Sequence, residues 1–87
     1  MLERHVIVAV HITDRVSHAG QVQKMFTDFG CNIRTRIGLH DVDGKYCSPN
    51  GLIVLEFVGD DSALSEFTSG VGAVEGVEVK SMTFDHP

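Results

Sequence analysis

Four side chains able to bind transition metals, His40, Asp41, Asp43 and Cys47, fall within eight residues of the stretch "TRIGLHDVDGKYCSPNG", Thr35 to Gly51. Imidazole, thiolate and carboxylate in one place would suit zinc, nickel or cobalt. The spacing argues otherwise. No pair repeats Cys-x-x-Cys or His-x-x-x-His, the separations that bring two ligands to one ion. Asp43-Gly44, Pro49 and Asn50-Gly51 are chain-reversal signals, so the stretch reads as the polar tip of a hairpin. His40 and Cys47 face each other across that tip and are the residues a metal would use, yet no metal site and no other cofactor is expected. Elsewhere, His5 and His11 share a strand face but lie ~20 Å apart, too far for one ion. His11 and His18 flank the first loop and can approach each other. Cys31 and Cys47 stand ~30 Å apart at the ends of an extended segment, which excludes an intrachain disulfide.

Catalysis would need titratable groups converging on a concave site. Asp14, Ser17 and His18 supply a carboxylate, a hydroxyl and an imidazole, but neighbouring helix positions diverge. No nucleophile–base order, phosphate loop or metalloprotease motif is present. The chain is not expected to be an enzyme.

The elements that carry these residues follow from periodicity. "RHVIVAVHI" puts Val6, Val8, Val10 and Ile12 on one face and His5, Ile7, Ala9 and His11 on the other, a strand apolar on both sides. Val16, Ala19, Val22, Met25 or Phe26, and Phe29 then recur at helical steps, with Asp14 or Ser17 as cap and Gly30 as the left-handed stop. "CNIRTRIGLH" alternates strictly, with Ile33, Thr35, Ile37 and Leu39 on one face and Arg34, Arg36, Gly38 and His40 on the other. "LIVLEFV" is a second central strand. Asp60, Asp61 and Ser62 offer caps to a second helix with Leu64, Phe67, Val71 and Val74 inward. "GVEVKSMTF" is the last strand.

The order βαββαβ is that of the α+β ferredoxin-like split, a four-stranded antiparallel sheet with two helices on one face and the first and third strands central. The helices cover one side only. Ile7, Ala9, Leu52 and Val54 are left on the other, which predicts a homo-oligomer, dimer or tetramer, formed through the sheet.

Length and composition bound the rest. Eighty-seven residues, 43% apolar and 22% charged, read as one globular domain over residues 1–87. A net charge of −5 with scattered basic residues argues against holding nucleic acid directly. No apolar run approaches the ~20 residues needed to span a membrane, and no secretory signal is evident. A cytoplasmic location is expected.

"DRVSHAGQVQKMFTDFGCNI" resembles the first helix and second strand of ACT regulatory domains, with Asp14, Gly30, Asn32 and Ile33 matching in type and spacing. "TRIG", "GLIVLEFVGDD" and "AVEGVEV" complete the frame. Within the ACT-like group the chain is most similar to small stand-alone proteins called iron-only hydrogenase system regulators. That resemblance implies a regulatory module that senses a small-molecule effector or contacts a protein partner. It places the ligand at the first strand–helix loop, making Asp14, Val16, Ser17, His18 and Asn32 the candidate binding residues. Val16 and Ser17 stand where the family usually has Pro-Gly, and Asp14 and Ser17 serve equally as plain caps.

The related nickel-responsive repressors bind metal through strand histidines. Arg36 and Gly38 occupy those positions here, and a cationic Arg36 would repel a divalent ion. Those repressors reach DNA through a separate ribbon-helix-helix segment, for which this chain has no room. A metal sensor and a purely structural interaction oligomer are the two alternatives to effector sensing.

Overall fold

The computed structural model describes residues 4–13, 15–43 and 46–85, with the side chains of 15–19, 39–43 and 46–50 left out. In chain order the elements are β1 (Arg4–Ile12), α1 (Arg15–Asp28), a 3-10 turn (Gly30–Asn32), β2 (Ile33–Asp43), β3 (Tyr46–Phe57), α2 (Asp61–Gly72) and β4 (Val77–Asp85). The strands form one antiparallel sheet in the order β2-β3-β1-β4, with the two apolar strands in the middle. This is the ferredoxin-like arrangement, with α1 and α2 covering one side.

The core lies between that side and the helices. Val6, Val8, Val10 and Ile12 of β1 and Leu55 and Phe57 of β3 meet Val22 and Phe26 of α1 and Phe67 and Val71 of α2. Phe67 is fully buried and stands at the centre of an aromatic cluster. Its ring centroid lies 5.2 Å from that of Phe57, 5.3 Å from Phe29 and 5.9 Å from Phe26. The pair with Phe26 is stacked, that with Phe57 tilted and that with Phe29 edge-on, and such pairs add to what burial alone contributes. At Gly70 α2 lies close to α1, where a Cβ would stand 2.5 Å from the methyl carbon at the flexible tip of Met25.

Local chemistry sets the helix ends. The Asp60 carboxylate accepts from the Ala63 N–H at 2.8 Å, the cap expected for α2. After α2, Gly76 takes φ 83°, a left-handed conformation that brings the chain back toward the sheet. The Gly76 carbonyl then accepts from both the N–H and the hydroxyl of Thr13, each at 2.8 Å, tying the end of β1 to the start of β4.

Three expectations need correction. Gly30 is not a left-handed stop; its φ is negative, and the chain instead tightens into the Gly30–Asn32 turn, with Asn32 N–H donating to Phe29. The unbroken alternation expected of β2 fails, because a bulge at Arg34 sets Ile33 opposite Phe57 but Thr35 opposite Glu56. One extra residue exchanges the faces. Ile33 therefore packs on the core while Thr35 and Ile37 cross to the open side, and the Arg36 guanidinium lies 4.6 Å over the Phe26 ring. Finally, β3 does not start at Leu52. It begins at Tyr46, inside the stretch read as a hairpin tip, and pairs with β2 through Val42↔Cys47 and Asp43↔Tyr46.

Truncating Phe67 to Ala should be the costliest single core change, about 3–5 kcal/mol by chemical denaturation. Gly76→Ala should cost less, about 1–2 kcal/mol, because only a Cβ in a left-handed conformation is at stake.

Candidate functional site

The side of the sheet away from the helices is where the residues of interest collect. The register puts His5, Ile7, Ala9 and His11 of β1 on it, level with Phe84, Met82, Lys80 and Glu78 of β4. On the other flank Ile7 faces Glu56, Ala9 faces Val54 and His11 faces Leu52, while β2 adds Thr35, Ile37 and Leu39 opposite those same residues. Ile7, Ala9, Leu52 and Val54, expected on this face, are there and are half-buried. Ile37, Met82 and Phe84 share it at 55%, 57% and 53% exposure. Large apolar side chains this open on one surface are unusual for a solvated sheet.

Between β1, β3 and β2 the face sinks into an open cavity of about 190 Å³, lined by Ile7, Thr35, Ile37, Val54, Leu55 and Glu56. Glu56 gives this apolar floor one charged group. Its Oε2 lies 2.8 Å from His5 Nδ1 and 3.7 Å from the Arg34 guanidinium, and its side chain is only 17% exposed. The hydrogen bond with His5 holds the Glu56 carboxyl below its ordinary value, burial opposes this, and the Arg34 charge adds to the lowering. The bulge supplies this arrangement, since Arg34 is the extra residue that brings a guanidinium toward Glu56.

Of the residues expected at the first loop, the structure describes the side chain of Asn32 alone, and it lies away from that loop. Asp14 lies outside the described residues. Val16, Ser17 and His18 occupy the first turn of α1, and their side chains lie outside the described ones. Asn32 is at the other end of the sheet. Ile12 pairs with Gly51, whereas Asn32 bonds to Val58, just beyond the Val6↔Phe57 pair. There the Asn32 carboxamide donates to the Val58 carbonyl at 2.7 Å, and the Val58 N–H donates back to the Asn32 carbonyl at 2.7 Å. Within one chain this is a structural staple.

The hairpin pair is also separated. His40 stands opposite Gly51 and Cys47 opposite Val42, with an irregularity between them, so they are not cross-strand neighbours. Asp41 and Asp43 lie on β2, and the side chains of all four are outside the described ones. Among the described residues no group of three or more His, Cys, Asp or Glu is placed to share a metal ion. Cys31 is an exposed free thiol. No helix among the described residues is long and apolar enough to cross a membrane.

Three features escaped the sequence reading. Met82 and Phe84 follow from the alternation of "VEVKSMTF" only once the β1–β4 register is known. Ile37 reads as sharing a face with Ile33, because the bulge that separates them leaves no trace in the pattern. Glu56 was visible only as the point where the apolar run of β3 ends.

No family model and no curated protein matches this chain. Among solved structures it is similar to the uncharacterized protein TM1266 from Thermotoga maritima, with a TM-score of 0.79 and 23% identity over 93% of this chain and 98% of that one. It is also similar to CPII from Thiomonas intermedia K12, solved bound to ADP, AMP and acetate, with a TM-score of 0.59 and 10% identity over 100% and 92% of the two chains. A formyltetrahydrofolate deformylase from Pseudomonas putida KT2440 matches at a TM-score of 0.59 and 15% identity over 90% of this chain but only 28% of that one. At these identities the likeness establishes the shared fold.

A folded-state carboxyl held below its ordinary value contributes stability that is present above that value and lost as pH falls through the lowered one. For Glu56 the ordinary value is 4.5, so its contribution should disappear on the acid side of that point. Denaturation midpoints measured as pH falls from neutrality should therefore drop less steeply in Glu56→Gln than in the parent. An unchanged acid limb would show that Glu56 is not linked to folding.

Proposed function

We propose that this chain is a small ACT-like regulatory module that works as a homo-oligomer and responds to a small effector, similar to the iron-only hydrogenase system regulators. The observation that supports it is the open face. Helices shield one side of the sheet, and the other carries Ile7, Ala9, Ile37, Leu52, Val54, Met82 and Phe84 with no helix or strand over them among the described residues. Apolar area is worth about 25 cal/mol per Å² when removed from water, so a partner is favoured strongly.

The first turn of α1 is the effector end in this reading. The backbone N–H groups of a first helical turn and the helix dipole favour an anion, and the sequence puts Ser17 and His18 in that turn. CPII, which shares the fold, carries the anionic ligands ADP, AMP and acetate in its structure. We carry over the ligand class alone, a small anion or carboxylate. The reading is non-enzymatic: the carboxylate that lines the cavity, Glu56, is held by His5 and Arg34. With a net charge of −5, contact with duplex DNA is assigned to a partner protein.

A thermal-unfolding screen of amino acids, ADP, AMP, acetate, nickel and zinc tests this. A true effector at 100 times its Kd should raise stability by about 2.7 kcal/mol, and Ser17→Ala with His18→Ala should weaken that response. A flat screen would overturn the effector reading in favour of a structural oligomer, and a response confined to nickel or zinc would replace it with metal sensing.

A further inference from the structure

The open face carries both a projection and a recess. Met82 and Phe84 stand out on β4, one edge of the sheet, at 57% and 53% exposure. The 190 Å³ cavity lies on the other half, over β1, β3 and β2. Met82 is level with Ile7, which is level with Glu56 and Thr35, so projection and recess lie at the same height along the strands. The charges balance too. Among the described residues the face bears Arg34 and Lys80 against Glu56 and Glu78, although the chain as a whole is at −5. Lys80 is exposed and has no ion-pair partner among the described residues, whereas Glu56 sits at the cavity wall. A neutral, greasy patch on an acidic molecule suits a second copy better than a basic partner, which the acidic remainder of the surface would attract instead.

Two twofold arrangements lay such a face on itself with the strands of the two sheets aligned. An axis across the strands stacks β4 on β4, so that the projections collide and both recesses stay empty. An axis parallel to the strands, between β1 and β3, reverses the order β2-β3-β1-β4. It lays β4 over β2 and β1 over β3 while keeping heights unchanged. We infer that the open face is a self-complementary interface of this second kind, in which Met82 of each copy seats in the cavity of the other above Thr35. Lys80 of each copy then approaches Glu56 of the other, its long stem bridging the offset between strands. Methionine is suited to the recess, because an unbranched thioether fills irregular space at low strain. Four strands at about 4.8 Å spacing and roughly 25 Å long present a plane of roughly 500 Å². Side-chain relief brings that toward the ~800 Å² per partner of a standard interface. The inference rests on the homo-oligomer reading above and adds to it which surface pairs and in what register.

Disulfide trapping tests it in a Cys31→Ser, Cys47→Ser background. Met82→Cys combined with Thr35→Cys should oxidise to a covalent dimer, while Met82→Cys alone should not. In sedimentation at micromolar concentration the parent should be at least a dimer. Met82→Glu and Lys80→Glu should each raise the dissociation constant, the former by about 30-fold or more because it buries a charge. Both positions are exposed in the single chain, and unchanged far-UV circular dichroism would show the variants folded. A covalent dimer from Met82→Cys alone, or a dimer indifferent to Met82→Glu, would overturn this register while leaving oligomerisation intact. A monomeric parent would overturn both.

Discussion

A sheet of four strands has two sides and only two helices to cover them. In this topology both crossovers run on the same side, so the helical layer buries Val6, Val8, Val10, Leu55 and Phe57 completely and offers nothing to the residues between them. Because side chains alternate along a strand, every residue added to the core commits its neighbours to the opposite surface. Polar neighbours would satisfy that constraint in a monomer. Here β1 and β3 place Ile7, Ala9, Leu52 and Val54 there instead, and the edges add Ile37, Met82 and Phe84. The oligomeric reading, the cavity and the position of Glu56 all descend from this one geometric fact.

The bulge in β2 decides what the uncovered side is made of. Without it Ile37 and Thr35 would join Ile33 against the helices, and Arg36 would face outward beside Val54. With it, Ile33 stays in the core, Ile37 becomes part of the open surface, and the guanidinium of Arg36 is redirected onto Phe26. The extra residue, Arg34, is also the one that approaches Glu56. A single irregularity thus supplies both the apolar wall and the ionic group of the same recess.

The legible parts of this molecule were those written in period. The switch from steps of two to steps of three and four located both helices, and strands apolar on both faces identified the centre of the sheet. What could not be read were features that leave the alternation intact or depend on register. "NIRTRIGLH" alternates without a fault, yet the chain bulges at its third residue, Arg34. Pro49 argued against a strand, but β3 runs through it. The partner β1 is paired only from Gly51 onward, and Ser48, Pro49 and Asn50 together stand opposite Asp41, so the proline sits where the ladder is already irregular. For the candidate site, the four central apolar residues were evident from alternation. The neighbours Met82, Phe84 and Glu56 became evident only with the pairing of strands distant in sequence.

The ties between α1 and α2 have a mechanical meaning. Asn32 and Val58 clasp the end of the α1 segment to the loop that begins α2, the Phe26, Phe29 and Phe67 rings interlock, and Met25 lies against Gly70. Neither rod can slide along the other without breaking a clasp or unseating a ring. The two helices are therefore locked to each other as a single layer over the strands, by hydrogen bonds at the Asn32 end and by packed rings further along.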